Sequence, residues 1–117
     1  LTSLGTVEMG NENRLLSFNP DYKKNDFNLN NGFELFQNFP NPFNPITQIN
    51  YTLPENTFVT IKVYNVLGKE VKSLVNEYMD TGDHFVNFDA TGLSSGIYFY
   101  KIFAGSNIDQ KQMLLIK

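Results

Sequence analysis

Asp80-Thr81-Gly82 comes nearest to a catalytic motif in this chain, because it matches the three-residue core of aspartic proteases. That chemistry needs two carboxylates sharing one proton, hence a second such segment or a symmetric partner. The chain holds one copy, followed by Asp83, and these residue types predict a turn. Asp26-Phe27-Asn28-Leu29-Asn30-Asn31-Gly32 has the look of a calcium loop. An EF-hand needs Gly at position six and a bidentate Glu at position twelve, where this chain has Asn31 and Gln37. An Asn-rich turn is the expectation, and no metal site. His84 is the single histidine, with no Ser, Cys or acid motif to serve, so triad chemistry has no basis. No Gly-rich loop follows a strand and opens a helix, which excludes a phosphate cradle of that kind. The Asn50-Tyr51-Thr52 sequon lies mid-strand and is expected to stay unmodified. Tyr51, Tyr64, Tyr98 and Tyr100 offer a binding surface, since rings on a sheet face stack on sugars. Core packing accounts for them equally well, and there is no Trp to anchor a platform. These residues define no reactive centre, and the expectation is a protein that is not an enzyme and needs no cofactor.

The composition agrees with a small packed module. A chain of 117 residues makes one domain with a short appendage, and 41% hydrophobic with 15% aromatic residues supplies a core carried by 11 Phe and 6 Tyr. A formal charge of −3 gives no basic face for nucleic acid. The absence of Cys excludes disulfides, thiolate metal sites and thiol catalysis, and is compatible with export. The chain opens on Leu1 without a basic and then apolar leader, so it is expected to be a piece of a longer precursor. The apolar run at 113–116 is far too short to span a bilayer.

Two regions separate by pattern. Residues 1–33 are rich in Asn and lack sustained periodicity, with short apolar patches at 7–9 and 15–18; they read as a linker and remnant of an upstream region. Residues 34–117 read as the domain. From Thr47 the period becomes two: Ile49, Tyr51 and Leu53 share one face, then Val59, Ile61 and Val63. Asn65-Val66-Leu67-Gly68 fits a type I turn, with Asn first and Gly fourth. Strands are expected at 71–75, 84–89 and 97–104, the last as a central strand covered on both faces, and a final strand follows Gly105-Ser106. Short strands divided by turn signals predict an all-β antiparallel sandwich. Tyr98, after Leu93 and Gly96, is placed like a tyrosine corner, whose hydroxyl bonds back to the preceding loop, and a plain buried aromatic accounts for it equally well.

Ahead of the first alternating run stands Phe39-Pro40-Asn41-Pro42-Phe43-Asn44-Pro45, holding three of the five prolines. Proline fixes φ and pushes its predecessor into the extended region, so this predicts a rigid extended lead-in. Asn38, Asn41 and Asn44 are expected to bond to nearby backbone.

From Phe33 to Lys117 the chain resembles the C-terminal sorting domain of proteins exported by the type IX secretion system of diderm bacteria. The residues that carry the likeness come in order: Gln37-Asn38-Phe39-Pro40-Asn41-Pro42-Phe43-Asn44-Pro45, then Val63-Tyr64-Asn65-Val66-Leu67-Gly68-Lys69-Glu70-Val71. Gly82-Asp83-His84, Phe88-Asp89-Ala90 and Gly92-Leu93-Ser94-Ser95-Gly96-Ile97-Tyr98 follow, with a basic–apolar–basic end from Lys111 to Lys117. Phe39 stands where the family usually has Tyr, Phe88 where Trp is common, and Gln112 where a second Lys is frequent. The resemblance implies an immunoglobulin-like antiparallel β-sandwich of about seven strands. It implies a non-catalytic signal that carries an upstream cargo across the outer membrane to the cell surface or medium. The implied partners are the outer-membrane translocon and a sortase-like peptidase that removes the domain, with cleavage within residues 1–33. Translocon recognition would fall on Pro40, Asn41, Pro42, Gly68, Gly96, Tyr98, Lys111 and Lys117. The last strand, 110–117, has two readings of its own: it is open to strand addition by a receptor sheet, or it completes the sandwich, as Met113, Leu114 and Ile116 suggest. The alternative is a carbohydrate-binding or adhesive immunoglobulin-like module of a secreted enzyme.

Overall fold

The computed structural model describes residues 31–117. Residues 1–30, with the patches at 7–9 and 15–18 and most of the 26–32 loop, lie outside the described residues. Phe33–Lys117 forms one compact unit.

Alternation of apolar and polar residues produces strands with one buried face. In chain order these are β1 (Glu34–Leu35), β2 (Ile46–Leu53), β3 (Thr57–Tyr64), β4 (Glu70–Met79), β5 (Gly82–Asp89), β6 (Gly96–Ala104) and β7 (Asn107–Leu115). They form a three-stranded sheet in the order β1-β2-β5 and a four-stranded sheet in the order β4-β3-β6-β7, with every named pair antiparallel. Both sheets contribute to one core. Ile49, Tyr51, Leu53 and Phe88 come from the first, and Val59, Ile61, Tyr100, Ile102, Met113 and Leu115 from the second. Among the described residues no helix is long and apolar enough to cross a membrane.

Three expectations are corrected here. The strand at 97–104 is central, between β3 and β7, but among the described residues it is covered on one face only. Tyr98, Tyr100, Ile102 and Ala104 are buried, whereas Phe99 and Lys101 are half-exposed and Phe103 is exposed, because among the described residues no third layer covers this sheet. The strand expected at 71–75 is β4, which is longer and carries two register shifts against β3, between Ile61 and Lys62 and between Val63 and Tyr64. Such irregularities disturb a ladder and keep an exposed edge from templating another chain. The Pro-rich stretch is a run of bends rather than a straight lead-in. Phe39 pairs with Gln48 of β2 and Phe43 with Leu115 of β7, so the chain must cross from one sheet to the other within a few residues. The peptide bonds before Pro40, Pro42 and Pro45 are cis.

The local turn chemistry follows the sequence. The Gly68 N–H donates to the Asn65 carbonyl at 2.9 Å, closing the turn, and Gly68 has φ +81. The Asn65 Oδ1 accepts from the amides of Leu67 and Lys69 at 2.9 and 3.0 Å. The Tyr98 hydroxyl donates to the Ser94 carbonyl at 2.7 Å, the backward bond of a tyrosine corner.

Candidate functional site

Strand directions and registers sort the connecting segments onto two ends of the sandwich. β2 begins where β5 ends (Ile46 opposite Asp89), and β6 begins where β7 ends (Gly96 opposite Leu115). Tyr64, the last residue of β3, lies opposite Phe99 near the start of β6. One pole therefore gathers residues 40–45, the Asn65–Gly68 turn, the corner at 90–96 and the chain end. The opposite pole holds the 54–56 and 80–81 connections and the Gly105-Ser106 turn. The upstream chain joins there, because Glu34 lies opposite Thr52 near the end of β2.

Backbone and side-chain bonds fasten the first pole together. The Phe43 N–H donates to the Leu114 carbonyl and the Ile116 N–H to the Phe43 carbonyl, both at 3.0 Å. The Asn41 Oδ1 accepts the Leu114 N–H at 3.0 Å, and the Gln37 Nε2 donates to the Gln112 carbonyl at 2.7 Å. The Ala90 N–H donates to the Pro45 carbonyl at 2.8 Å, and the Lys117 N–H to the Ser95 Oγ at 2.9 Å. The Phe43 and Phe88 rings meet beneath, with centroids 5.9 Å apart. At the rim the Asp89 carboxylate accepts the Thr91 hydroxyl at 2.6 Å and the Thr91 amide at 3.0 Å, and these bonds hold its carboxyl below the usual carboxylate range.

A buried polar cluster supports the segment from inside. Asn38 and Thr47 are the buried polar residues of the described domain, at 2% and 1% exposure. The Asn38 Nδ2 donates to the Thr47 Oγ1 at 3.0 Å and to the Pro40 carbonyl at 3.2 Å, and the Thr47 hydroxyl donates to the same carbonyl at 2.8 Å. The Tyr100 hydroxyl accepts the Asn38 N–H at 2.8 Å and donates to the Phe36 carbonyl at 2.7 Å. Buried polar groups are costly unless bonded, so this satisfied set fixes the path of residues 36–40.

Of the residues singled out by resemblance, Pro40, Asn41, Pro42, Gly68, Gly96 and Lys117 lie at this pole. Tyr98 reaches it through its bond to Ser94. Pro40, Asn41, Pro42, Gly68 and Lys117 are exposed and Gly96 is partly so. Lys111 does not join them; it lies opposite Tyr100, six residues and about 20 Å of strand from Lys117. Asn38 bonds to nearby backbone as expected, whereas Asn41 reaches the distant Leu114 instead. Thr47 and Tyr100 were not singled out as supports of this segment. Their roles rest on contacts across the fold that spacing does not encode.

Two further expectations fail on geometry. Tyr51, Tyr98 and Tyr100 are core residues, leaving only Tyr64 of that set part-exposed, so they make no sugar platform. The outer edge of β7 is not open along its second half. Gln37, Asn41 and Phe43 already occupy backbone groups of Gln112, Leu114 and Ile116, and strand addition there has no free ladder to join. The other candidates resolve locally. The His84 Nε2 donates to the Asp80 carbonyl at 2.7 Å and its ring stacks on Tyr51 at 5.5 Å. The Thr81 hydroxyl donates to the Leu53 carbonyl at 3.0 Å within the turn that contains Asp80. Among the described residues no group of three or more His, Cys, Asp or Glu is placed to hold a metal ion.

The described residues thus form a two-sheet module whose connecting segments converge on one hydrogen-bonded surface. Residues 37–117 match the family described as the secretion system C-terminal sorting domain, and the chain belongs to that family. Its function is that of a non-catalytic C-terminal sorting signal for type IX secretion cargo. Against curated proteins the chain has no match.

Proposed function

We propose that the pole built from residues 40–45, the Asn65–Gly68 turn, the 90–96 corner and Lys117 is the surface that the outer-membrane translocon reads. The observation that carries this reading is the position of the pole, at the end of the sandwich opposite to where upstream chain joins. A cargo joined ahead of Glu34 is attached at the other end of the sandwich. The surface is also composite: Asn41 and Leu114 are 73 residues apart and bonded, so the signal exists only once the domain has folded. A sortase-like peptidase then cuts within residues 1–33, and the cargo reaches the cell surface or medium. The sheet orders, with β3 between β4 and β6 and β2 beside β5, together with the Tyr98–Ser94 bond, support an immunoglobulin-like topology.

The test is export of a periplasmic reporter fused ahead of the chain in a type IX-competent host. Combined Asn41→Ala, Leu67→Ala and Lys117→Ala, all at exposed pole positions, should retain the reporter in the periplasm while the purified domain keeps its near-UV circular dichroism. Ser106→Ala at the opposite pole should export normally. Undiminished export of the triple variant would remove the pole from the mechanism. Deleting residues 111–117 is a poorer probe, since it removes the fully buried Met113 and Leu115 and unfolds the signal with its fold.

A further inference from the structure

The outer face of the three-stranded sheet carries large aromatic rings that neither the core nor the pole uses. Phe39 is 79% exposed, Phe85 62% and Phe36 40%. Registers set them in two rows. In one, the Phe36 N–H donates to the Asn50 carbonyl at 3.0 Å, and Asn50 lies opposite Phe85. In the other, Phe39 and Gln48 exchange backbone bonds of 3.0 and 2.9 Å, and Gln48 lies opposite Asn87. Strand spacing puts the backbones of Phe36 and Phe85 about 10 Å apart, and the two rows about 7 Å apart. Down the centre, the Gln48 Nε2 donates to the Asn50 Oδ1 at 2.9 Å, aligning the two amides. Two hollows adjoin on this face, one of about 280 Å³ between Phe36, Phe39, Gln48 and Asn50, the other of about 210 Å³ between Phe36, Thr52, Asp83 and His84.

We infer that this face binds a neutral carbohydrate chain. Sugar rings present an apolar C–H face, which lies on an aromatic ring, and a rim of hydroxyls, which bond to amides. Here rings flank a line of amides, so both requirements are met side by side. The charge pattern narrows the ligand. Glu34, Asp83 and Asp89 fall on the bordering rows, and no Lys among the described residues of β1, β2 or β5 offers a counter-charge to an anionic ligand. A purely apolar protein surface would strand the Gln48, Asn50 and Asn87 amides without partners, at a cost that hydroxyls avoid. The spacing of about 10 Å between the backbones that carry the flanking rings is on the scale of a disaccharide unit rather than a single sugar. Glycan binding on this face is independent of export through the pole.

Affinity electrophoresis of the full chain through gels containing a neutral β-glucan, a mannan, a xylan or an anionic polysaccharide tests the inference. At least one neutral polymer should retard the chain, and Phe39→Ala and Phe85→Ala should each weaken that binding tenfold or more. Phe99→Ala, on the other sheet, should leave it unchanged. Both target rings are exposed, so the variants keep their thermal transition, which is checked alongside. The inference is overturned by no retardation in any neutral polymer, by retardation in the anionic polymer alone, or by binding that survives Phe39→Ala with Phe85→Ala. Self-association in sedimentation that Phe39→Ala abolishes overturns it too, assigning the face to a second copy of the chain.

Discussion

The Asn38 backbone amide ends on the Tyr100 hydroxyl, 2.8 Å away, which passes the contact on to the Phe36 carbonyl at 2.7 Å. One fully buried phenol in the four-stranded sheet thereby sets the path of a segment that belongs to the other sheet. Tyr100→Phe keeps the ring and its packing but removes both bonds, leaving a buried amide and a carbonyl short of a partner. The expected loss is about 2 kcal/mol, above the average for a hydrogen bond because the orphaned groups stay desolvated. Urea denaturation checks it: the midpoint should fall with an unchanged slope. A loss below about 0.5 kcal/mol would mean that water replaces the hydroxyl.

Asn41 acts on the same segment from outside. Its Oδ1 supplies the acceptor for the Leu114 N–H at the β7 edge, in an exposed setting. Asn41→Ala should cost about 1 kcal/mol or less, since water can reach the freed amide. Local opening should respond more clearly than global stability: hydrogen exchange at Leu114 should speed up several-fold, while the core amide of Ile102 should track only the global change. Asn41→Asp keeps an acceptor and should retain protection at Leu114. Equal exchange in wild type and Asn41→Ala would show that Phe43 alone closes the edge.

The strands were legible because Ile49, Tyr51 and Leu53, or Val59, Ile61 and Val63, alternate with polar neighbours, and burial follows that period. The Asn65–Gly68 turn and the Tyr98 corner were legible because each is local in sequence. The two residues of β1 were not, since a strand that short leaves no period. The bond between Asn41 and Leu114 was hidden for a different reason: its partners are 73 residues apart, and proline chemistry describes stiffness, not destination. Lys111 and Lys117 look alike as the ends of one basic–apolar–basic run. They separate only when extended strand geometry places them at different levels of the sheet. Phe36, Phe39 and Phe85 gave no common signal, because their shared face follows from pairing register rather than from spacing along the chain.

Two glycines separate strain from crowding. Gly68 has φ +81, and a Cβ there would meet nothing within 4 Å. Gly105 has φ +63, and a Cβ there would sit 3.0 Å from the Thr57 Oγ1. Gly68→Ala should therefore cost about 1–2 kcal/mol from the left-handed backbone alone. Asn, which tolerates that region, should cost less. Gly105→Ala should cost more than Gly68→Ala, and Thr57→Ala should recover part of the difference by removing the hydroxyl. Thermal unfolding of the four single variants and the Gly105→Ala, Thr57→Ala pair checks this. Additive losses in the pair would show that Thr57 already moves aside.

Alkaline pH should unfold the domain through two phenols. Burial raises Tyr51 from 10.0 to about 12, helped by the negative charge of Glu77. Tyr100 is likewise pushed up to about 12 by burial, against the opposing effect of the Asn38 N–H, with Asp109 adding to the rise. Below pH 10 folded and unfolded chains both keep these protons, and the full stability is present. Between pH 10 and 12 the unfolded chain releases them while the folded chain holds them. Stability should then fall by up to about 1.4 kcal/mol per pH unit for each phenol. Tyr51→Phe should remove one phenol's share of that slope, although it also loses the 3.0 Å bond to the Met79 Sδ and starts from a lower plateau. Urea midpoints measured from pH 8 to 11.5, with phenolate absorbance followed in parallel, separate the two effects. A slope unchanged by Tyr51→Phe would mean that Tyr51 ionises without unfolding the core that surrounds it.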